Sequence, residues 1–233
     1  MIARARGLSV VIPAFNAALY LGEAIASVLA EVDDRLEIIV VDDSSSDETA
    51  AIAQAHAGSG VSCIRRGRQG GAGAARNEGV AAARGPYLAF LDADDRWPAG
   101  RLRRLFAALH DAPAPDMAFG HMRHFLAAGV SPGMAARASN PPLPGYCAGA
   151  MLIRLADFRR VGMFEEDLKL GEFIGWFARA CDLGLTSALV EDVVLERRIH
   201  GANLTIRRRA DYGDYAQVLK RALDRRRRGV SDP

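Results

Sequence analysis

The sequence lacks a long hydrophobic segment. No stretch of its 233 residues approaches the about 18 consecutive apolar residues that a membrane-spanning helix needs. The N-terminal residues MIARARG also lack the apolar core of a secretory signal peptide. We therefore expect a cytoplasmic protein without transmembrane segments. Half of the residues are hydrophobic, which is enough for a sizeable core.

Cysteine is scarce and the charges nearly cancel. Cys63, Cys147 and Cys181 match neither a disulfide framework nor a zinc-ligand spacing, so we expect reduced packing residues. With 30 Lys+Arg against 28 Asp+Glu, the chain lacks the basic excess of a nucleic-acid binder, and we expect no such partner. Arginines cluster only at 207–209 and 225–228, where they could solvate a terminal helix or contact an anionic membrane peripherally.

Strand and helix patterns alternate over the first hundred residues. The predicted strands are 8–12, 36–41, 61–64 and 87–91. The predicted helices begin near 21, at a capping box formed by Ser45 and Glu48, and at 74. This alternation predicts an α/β fold with a mostly parallel central sheet and helices on both faces. Ligands of such sheets bind beyond the carboxyl ends of the strands.

The second half of the chain is less regular. Its predicted elements are a helix starting at Pro98, a proline-rich loop over 131–146, a helix over 172–183, a strand over 193–198, and a last amphipathic helix containing Tyr212, Tyr215, Val218, Leu219 and Ala222. We expect a single domain over 1–206, made of two halves at 1–97 and 98–206. A basic helix or tail would follow at 207–233.

Carboxylates follow two of the predicted strands. Asp92 and Asp94 flank one small residue, and such a pair can hold a hard divalent cation that neutralises phosphate oxygens. Either Asp42 or Asp43 could accept the ring N–H of a pyrimidine or the hydroxyls of a ribose. Turns and helix caps are the structural alternative for both motifs.

A glycine-rich loop precedes the helix predicted to begin at 74. Residues 70–73, followed by Arg76 and Asn77, offer backbone N–H groups and an arginine that suit a diphosphate, although a flexible loop is the alternative. Gly71, Gly73 and Asp92 also suggest a nicotinamide or flavin enzyme. However, the third glycine of that fingerprint is replaced by Arg76, and the loop does not follow the first strand.

Taken together, these segments resemble glycosyltransferase family 2, whose members have the A-type, Rossmann-like fold of nucleotide-diphospho-sugar transferases. Residues 9–16 (SVVIPAFN) resemble the first strand and turn of the family, and 40–47 (VVDDSSSD) its base-binding segment. Residues 73–77 (GAARN) resemble the middle loop, and 90–95 (FLDADD) the metal motif. The four segments match in order and spacing.

The resemblance implies a nucleotide diphosphate sugar as donor and Mn²⁺ or Mg²⁺ as metal. It makes 1–97 the nucleotide-sugar-binding half and 98–206 the acceptor-side half. The donor-binding residues that it implies are Pro13, Phe15, Asn16, Asp42, Asp43, Gly73, Arg76, Asn77 and Asp92. The implied metal ligands are Asp94, Asp92 and His200, the last in a late segment where the family commonly has a histidine. A structural role is the alternative for His200.

On the acceptor side the resemblance is looser. Residues 149–153 and 161–165 resemble the family's acceptor-side stretch, which an acidic pair usually follows. Here Phe173 replaces the second acid, so Glu172 becomes the candidate general base. The reserve candidates are Glu165, Glu166 and Asp167. On a helix, Glu172, Trp176 and Arg179 would fall on one side and could share a pocket wall.

The resemblance therefore implies an inverting, metal-dependent glycosyltransferase. The chain lacks the Gln-x-x-Arg-Trp motif and the membrane helices of processive synthases, so we expect single-sugar transfer to an unidentified small molecule, peptide or lipid-linked glycan. The alternative is a catalytically impaired nucleotide-binding or partner-binding protein of the same fold.

Overall fold

The computed structural model describes residues 7–31, 36–135, 141–201 and 213–229. The strands are β1 (Leu8–Ala14), β2 (Leu36–Asp42), β3 (Val61–Arg65), β4 (Tyr87–Phe90), β5 (Met117–Leu126), β6 (Leu143–Pro144), β7 (Met151–Arg154) and β8 (Ser187–Ile199). The helices are α1 (Leu21–Leu29), α2 (Thr49–Ala55), α3 (Ala72–Ala82), α4 (Arg101–His110), α5 (Pro132–Ala135), α6 (Leu155–Val161), α7 (Glu172–Asp182) and α8 (Gly213–Gly229). Tyr212 and the arginines at 207–209, named above, lie outside the described residues.

One sheet joins the described strands in the order β3-β2-β1-β4-β7-β5-β6, and β8 pairs with β5. The first four strands are mutually parallel. β7 runs antiparallel between β4 and β5, and β8 runs parallel to β5. The predicted α/β fold with a largely parallel central sheet is confirmed.

Helices cover both faces of the sheet. Alternate residues of β1 point to opposite faces, so Val10 packs with Ile25 of α1 and Leu105 of α4. Val11 packs on the other face with residues of α3, α6 and α7, including Trp176. This arrangement leaves the carboxyl ends of β1, β2 and β4 side by side at one edge of the sheet.

Two predicted helix starts are wrong. Ser45 does not form a capping box, because its hydroxyl accepts the N–H of Asn16 across the sheet edge. The helix begins at Thr49, whose N–H donates to the carboxylate of Asp47. The helix expected from Pro98 begins at Arg101.

Arg101 is fully buried, although arginines of helices usually face water. Its guanidinium donates to the carbonyl oxygens of Gly149 (2.6 Å), Val194 (2.7 Å) and Met151 (3.0 Å), and stacks on Trp97. Burial lowers the pKa of Arg101 to about 9. Arg101 thereby ties α4 to β7 and β8, the strands that build the second half of the sheet.

The second half contains strands that the sequence patterns did not predict. β5 and β7 were missed, and β8 begins at Ser187 instead of Val193. The expected loop over 131–146 contains α5 and β6, with 136–140 outside the described residues. The predicted helix over 172–183 is confirmed as α7, and the last helix is present as α8.

Candidate active site

The loops after β1 and β2 are locked together at the sheet edge. The Asn16 side-chain oxygen accepts the N–H of Ser46 at 2.9 Å, and the Asn16 N–H donates to Ser45 Oγ at 2.9 Å. Asn16 (φ +47°) and Ser44 (φ +68°) both adopt the left-handed backbone conformation that non-glycine residues rarely take. Such strain is concentrated at functional sites. Pro13 is buried in β1, and the ring of Phe15 is 45% exposed beside this turn.

Asp42 and Asp43 are both buried but differ in their hydrogen bonds. Asp43 accepts the N–H groups of Gly70 and Gly71 and a guanidinium N–H of Arg66, so it shapes the glycine-rich loop. Asp42 Oδ1 accepts the N–H of Ser45, whereas Oδ2 has no hydrogen-bond partner among the described residues. Its ion-pair partner is the exposed guanidinium of Arg65, with Nε 3.4 Å from Oδ2, so Oδ2 is paired in charge but accepts no hydrogen bond from the described residues.

The glycine-rich loop follows β3 and leads into α3, which agrees with the argument against a dinucleotide fingerprint. Gly71 has φ +89° and lies at the N-terminus of α3. A Cβ at Gly73 would lie 3.1 Å from the carbonyl oxygen of Glu165 and 3.5 Å from Cγ of Glu172. Glycine at this position therefore allows α3 to approach the acceptor-side segment closely.

Arg76 connects the two halves of the site. From α3 its buried guanidinium donates to Asp92 Oδ1 and to Glu172 Oε1, each at 2.5 Å. Burial opposes the charge of Arg76, but the charges of Asp92 and Glu172 outweigh it and raise the pKa of the guanidinium. The acidic strand end and the candidate base are thus held by one cation.

Asn77 is engaged within the protein. Its amide oxygen accepts the N–H of Phe164, and its amide nitrogen donates to the carbonyl of Phe164 and to Glu166 Oε1. This side chain fixes the segment after α6 against α3. A contact of Asn77 with the donor stays a prediction.

The acidic motif after β4 has two environments. Asp92 and Asp94 are partly exposed, whereas Asp95 is buried and accepts the N–H of Arg198 at 2.9 Å. Burial, followed by the charges of Asp94 and Asp92, raises the pKa of Asp95 well above its usual value. Asp94 Oδ2 lies 2.8 Å from His200 Nε2. The structure therefore brings the predicted metal ligands Asp94 and His200 together.

Asp94 and His200 fit a divalent cation that takes its remaining ligands from substrate phosphates and water. Within the described residues, no cluster of three or more His, Cys, Asp or Glu side chains could enclose a metal. Mg²⁺ typically binds through one or two carboxylates together with substrate phosphates and water. A carboxylate and an imidazole at an open strand end suit this incomplete type of site.

Arg198 holds the backbone of the acidic motif after β4, although the sequence did not predict it as a site residue. Its Nε donates to the carbonyl of Asp94 at 2.9 Å, its Nη2 donates to Glu23, and its guanidinium stacks on Tyr20. Tyr20 also packs against the ring of His200. The signal for Arg198 was its position near the end of β8, two residues before His200.

Glu172, Trp176 and Arg179 do not share a pocket wall, so that prediction is wrong. Trp176 is fully buried, stacks on Phe158 and donates its indole N–H to the carbonyl of Gly162. Arg179 pairs with Glu165 instead of facing Glu172. Only Glu172, the first residue of α7, faces the donor side through Arg76.

The reserve acids are all engaged elsewhere. Glu165 is bound by Arg179 and Arg221, and Asp167 also pairs with Arg221. The hydrogen bonds from Arg221 lower the pKa of Asp167. Together with the contact between Glu166 and Asn77, this leaves Glu172 as the acid nearest to the acidic motif in the acceptor-side segment.

Comparisons with known proteins identify a family and a fold that this chain shares. The model of "Glycosyl transferase family 2" matches residues 9–173. The succinoglycan biosynthesis protein ExoU of Rhizobium meliloti is 30% identical over 213 residues, which cover 90% of this chain and 56% of ExoU. Residues 1–349 of Staphylococcus aureus TarS, in complex with UDP-GlcNAc, have a similar fold, with a TM-score of 0.70, 20% identity, and coverage of 85% of this chain and 60% of that fragment.

A mannosyltransferase also shares the fold. PcManGT from Pyrobaculum calidifontis, in complex with GDP-Man and Mn²⁺, has a TM-score of 0.69 and 17% identity, covering 96% of this chain and 64% of that chain. The chain matches between 27% and 65% of the length of its curated relatives. In the part of the chain that the structure describes, no helix is long and apolar enough to span a membrane.

Proposed function

Because the chain belongs to glycosyltransferase family 2, we propose that it transfers one sugar from a nucleotide diphosphate sugar to an acceptor hydroxyl. The observation that carries this proposal is the ion-pair bridge Asp92–Arg76–Glu172, which joins the donor-side strand end to an acid on the acceptor side. The acceptor class remains open among small molecules, peptides and lipid-linked glycans. A cytoplasmic location likewise stays a prediction.

The donor would bind across the carboxyl ends of β1, β2 and β4. Oδ2 of buried Asp42, which accepts no hydrogen bond from the described residues and has only the exposed Arg65 as ion-pair partner among them, is suited to accept a ring N–H of the base. The exposed ring of Phe15 lies on the same edge. The N-terminus of α3 offers backbone N–H groups for the diphosphate. The complexes of TarS with UDP-GlcNAc and of PcManGT with GDP-Man support a donor of this class.

The departing nucleoside diphosphate gathers negative charge as the bond to the sugar breaks. Preorganised N–H groups at α3 and the positive charge of Arg76 would stabilise that charge. A divalent cation held by Asp94 and His200, with Asp92 assisting, would neutralise phosphate oxygens. The Mn²⁺ in the complex of PcManGT supports this part of the proposal.

Glu172 would remove the proton of the acceptor hydroxyl while the hydroxyl oxygen attacks the anomeric carbon from the face opposite the leaving group. This displacement inverts the anomeric configuration. A positioned general base is worth roughly 10²–10⁴-fold in rate. Because Arg76 holds one oxygen of Glu172, the carboxylate has a fixed orientation before the acceptor arrives.

A second candidate function is nucleotide or partner binding without catalysis. Phe173, at the place of the second acid, is the observation that favours it, because the ring is buried among Phe119, Trp176 and Phe177. Donor hydrolysis in the presence of Mn²⁺ separates the two functions, since a binding protein would be stabilised by the nucleotide sugar without consuming it.

The test begins with thermal unfolding in the presence of UDP-glucose, UDP-GlcNAc or GDP-mannose with Mn²⁺, because a bound ligand stabilises the folded state by mass action.

The nucleotide sugar that raises the unfolding temperature, called the stabilising donor, is then used to compare Glu172→Gln with Glu166→Gln. We expect Glu172→Gln to keep donor affinity and to lose about 10²–10⁴-fold in the rate of donor hydrolysis. Glu166→Gln should hydrolyse the donor at the parental rate. Parental turnover of Glu172→Gln would exclude Glu172 as the base, and loss of donor binding would assign it a structural role.

A further inference from the structure

The last helix, α8, lies beyond the residues that match the family model and packs beside the segment that leads to Glu172. We call residues 165–171 the lead segment. The lead segment is not part of a helix or strand. Buried Phe173 and Trp176 anchor α7 in the core, and the lead segment that precedes Glu172, the first residue of α7, is held by contacts with other elements.

Asp214, near the start of α8, fixes the backbone of the lead segment. Its Oδ2 accepts the N–H of Lys169 at 2.8 Å and the N–H of Leu170 at 3.1 Å. Next to it, Tyr215 lies against Gly171, where an added Cβ would be 3.1 Å from the Tyr215 ring. Val218 is buried one turn further along α8. The start of α8 is thus in direct contact with the end of the lead segment.

Arg221 binds the opposite end of the lead segment. Its Nη1 donates to Glu165 Oε2 at 2.6 Å and to Asp167 Oδ1 at 3.1 Å, and its Nη2 donates to Asp167 Oδ2 at 2.5 Å. Arg179 of α7 binds the other oxygen of Glu165 at 2.8 Å. The two-oxygen contact with Asp167 fixes the orientation of the carboxylate as well as its distance.

The other side of the lead segment is pressed against α3. The carbonyl of Glu165 faces Gly73, and Glu166 accepts the amide N–H of Asn77. At its end, Gly171 has φ +81° and forms the N-terminal cap of α7. Since glycine adopts many backbone conformations, this joint by itself does not fix the direction of Glu172.

We propose that α8 is a positioning element for the general base. In this arrangement Asp214 and Arg221 hold the lead segment against α3, so that Glu172 stays on Arg76 and faces the acceptor hydroxyl. Both are positioning residues, because each acts through the lead segment and Glu172. The inference rests on the role of Glu172 in the proposed function.

The test compares two arginines of α8. Arg221→Met removes the contacts with the lead segment, whereas Arg226→Met removes a matched ion pair with Asp182 at the far end of α7. Turnover of the stabilising donor by water, with Mn²⁺, is measured because it needs no identified acceptor. We expect Arg221→Met to lower kcat about tenfold or more without changing KM for the donor, since small displacements of catalytic groups are costly. Arg226→Met should stay within about twofold of the parent.

Rescue and coupling distinguish positioning from a general structural role. Arg221→Lys keeps a cation without the two-oxygen geometry, so it should recover part of kcat. In the Glu172→Gln background, Arg221→Met should lower kcat by no more than about twofold, because the group through which it acts is already lost. Asp214→Ala removes the acceptor of the Lys169 and Leu170 N–H groups. Checked for folding by thermal unfolding, it provides a second variant with the same expected loss of kcat.

The outcomes separate this inference from the proposed function. An equal loss of kcat from Arg221→Met in both backgrounds, or a loss of donor affinity, would overturn the positioning role while leaving Glu172 as the base. Equal effects of Arg221→Met and Arg226→Met on kcat would also overturn it. Parental kcat in Glu172→Gln would refute the base assignment, and the positioning role would fall with it.

Discussion

Replacement of Arg76 by methionine removes the cation between two carboxylates while keeping an unbranched apolar stem. The Arg76 side chain is 6% exposed, that of Glu172 is 15% exposed and that of Asp92 is 44% exposed. Breaking a buried ion pair costs about 3–5 kcal/mol because the remaining charge stays buried. The Glu172 half of the bridge meets that condition, whereas water screens the Asp92 half. We therefore expect Arg76→Met to lower the free energy of unfolding by about 3 kcal/mol.

The matched control is Arg84→Met. Arg84 likewise forms an ion pair, with Glu37 at 2.9 Å, but the Arg84 side chain is 85% exposed. An exposed pair contributes about 0–1 kcal/mol, so this variant should unfold almost like the parent. Urea unfolding followed by circular dichroism measures both variants. Equal free energies of unfolding for Arg76→Met and Arg84→Met would refute the reasoning.

A double variant tests the cause of the loss. If the cost of Arg76→Met comes from the stranded charge of Glu172, then adding Glu172→Gln should restore part of the stability. Double-mutant cycles of neighbouring residues typically give couplings of about 0.5–3 kcal/mol. Strictly additive losses would show that Arg76 stabilises the fold through packing, for example against Phe164, instead of through the bridge.

Three further expectations concern the metal, the core and the C-terminus. Donor affinity measured by calorimetry should fall when EDTA is added, and Asp94→Asn should reduce this dependence; equal affinity with and without EDTA would remove the metal from the mechanism. Arg101→Met should lower the free energy of unfolding by about 3–5 kcal/mol, because three buried carbonyl groups lose their donor; a loss below about 1 kcal/mol in urea unfolding would contradict this. Truncation after Leu223 should keep donor hydrolysis, because Arg225 and Arg226 pair with Asp182, the last residue of α7, at the end of that helix opposite Glu172; loss of turnover in a folded truncated protein would contradict it, and loss of vesicle binding alone would indicate a membrane contact.

The first half of the fold could be predicted because its signals are local. The apolar run that begins at Leu36 ends at Asp42, and the observed strand β2 has those limits. Parallel neighbours then bring residues 42 and 92 to one edge, which the alternation of strands and helices already predicts. The pairing of Asp94 with His200 needed the family resemblance, since the two residues are far apart in the sequence.

The second half depends on long-range contacts that no local pattern contains. β7 has four residues and lies antiparallel between β4 and β5, so its identity as a strand depends on both neighbours. Arg101 occupies an ordinary helix position in sequence, and only the three carbonyl groups that meet there explain its burial. Likewise, the spacing of Ser45 and Glu48 fits a capping box, but Asn16 competes successfully for the Ser45 hydroxyl.

The replacement of the second acid by Phe173 is linked to the packing of α7. Consecutive helix residues point about 100° apart, so residues 172 and 173 face different surroundings. Phe173 lies between Phe119 and Phe177 in an apolar cluster, and an aspartate there would be a buried carboxylate among aromatic rings. Such a charge is costly unless it is paired. Glu172, by contrast, already has Arg76 as a partner and faces the acidic motif. The local packing therefore favours position 172 over position 173 for the general base that takes the proton of the acceptor hydroxyl.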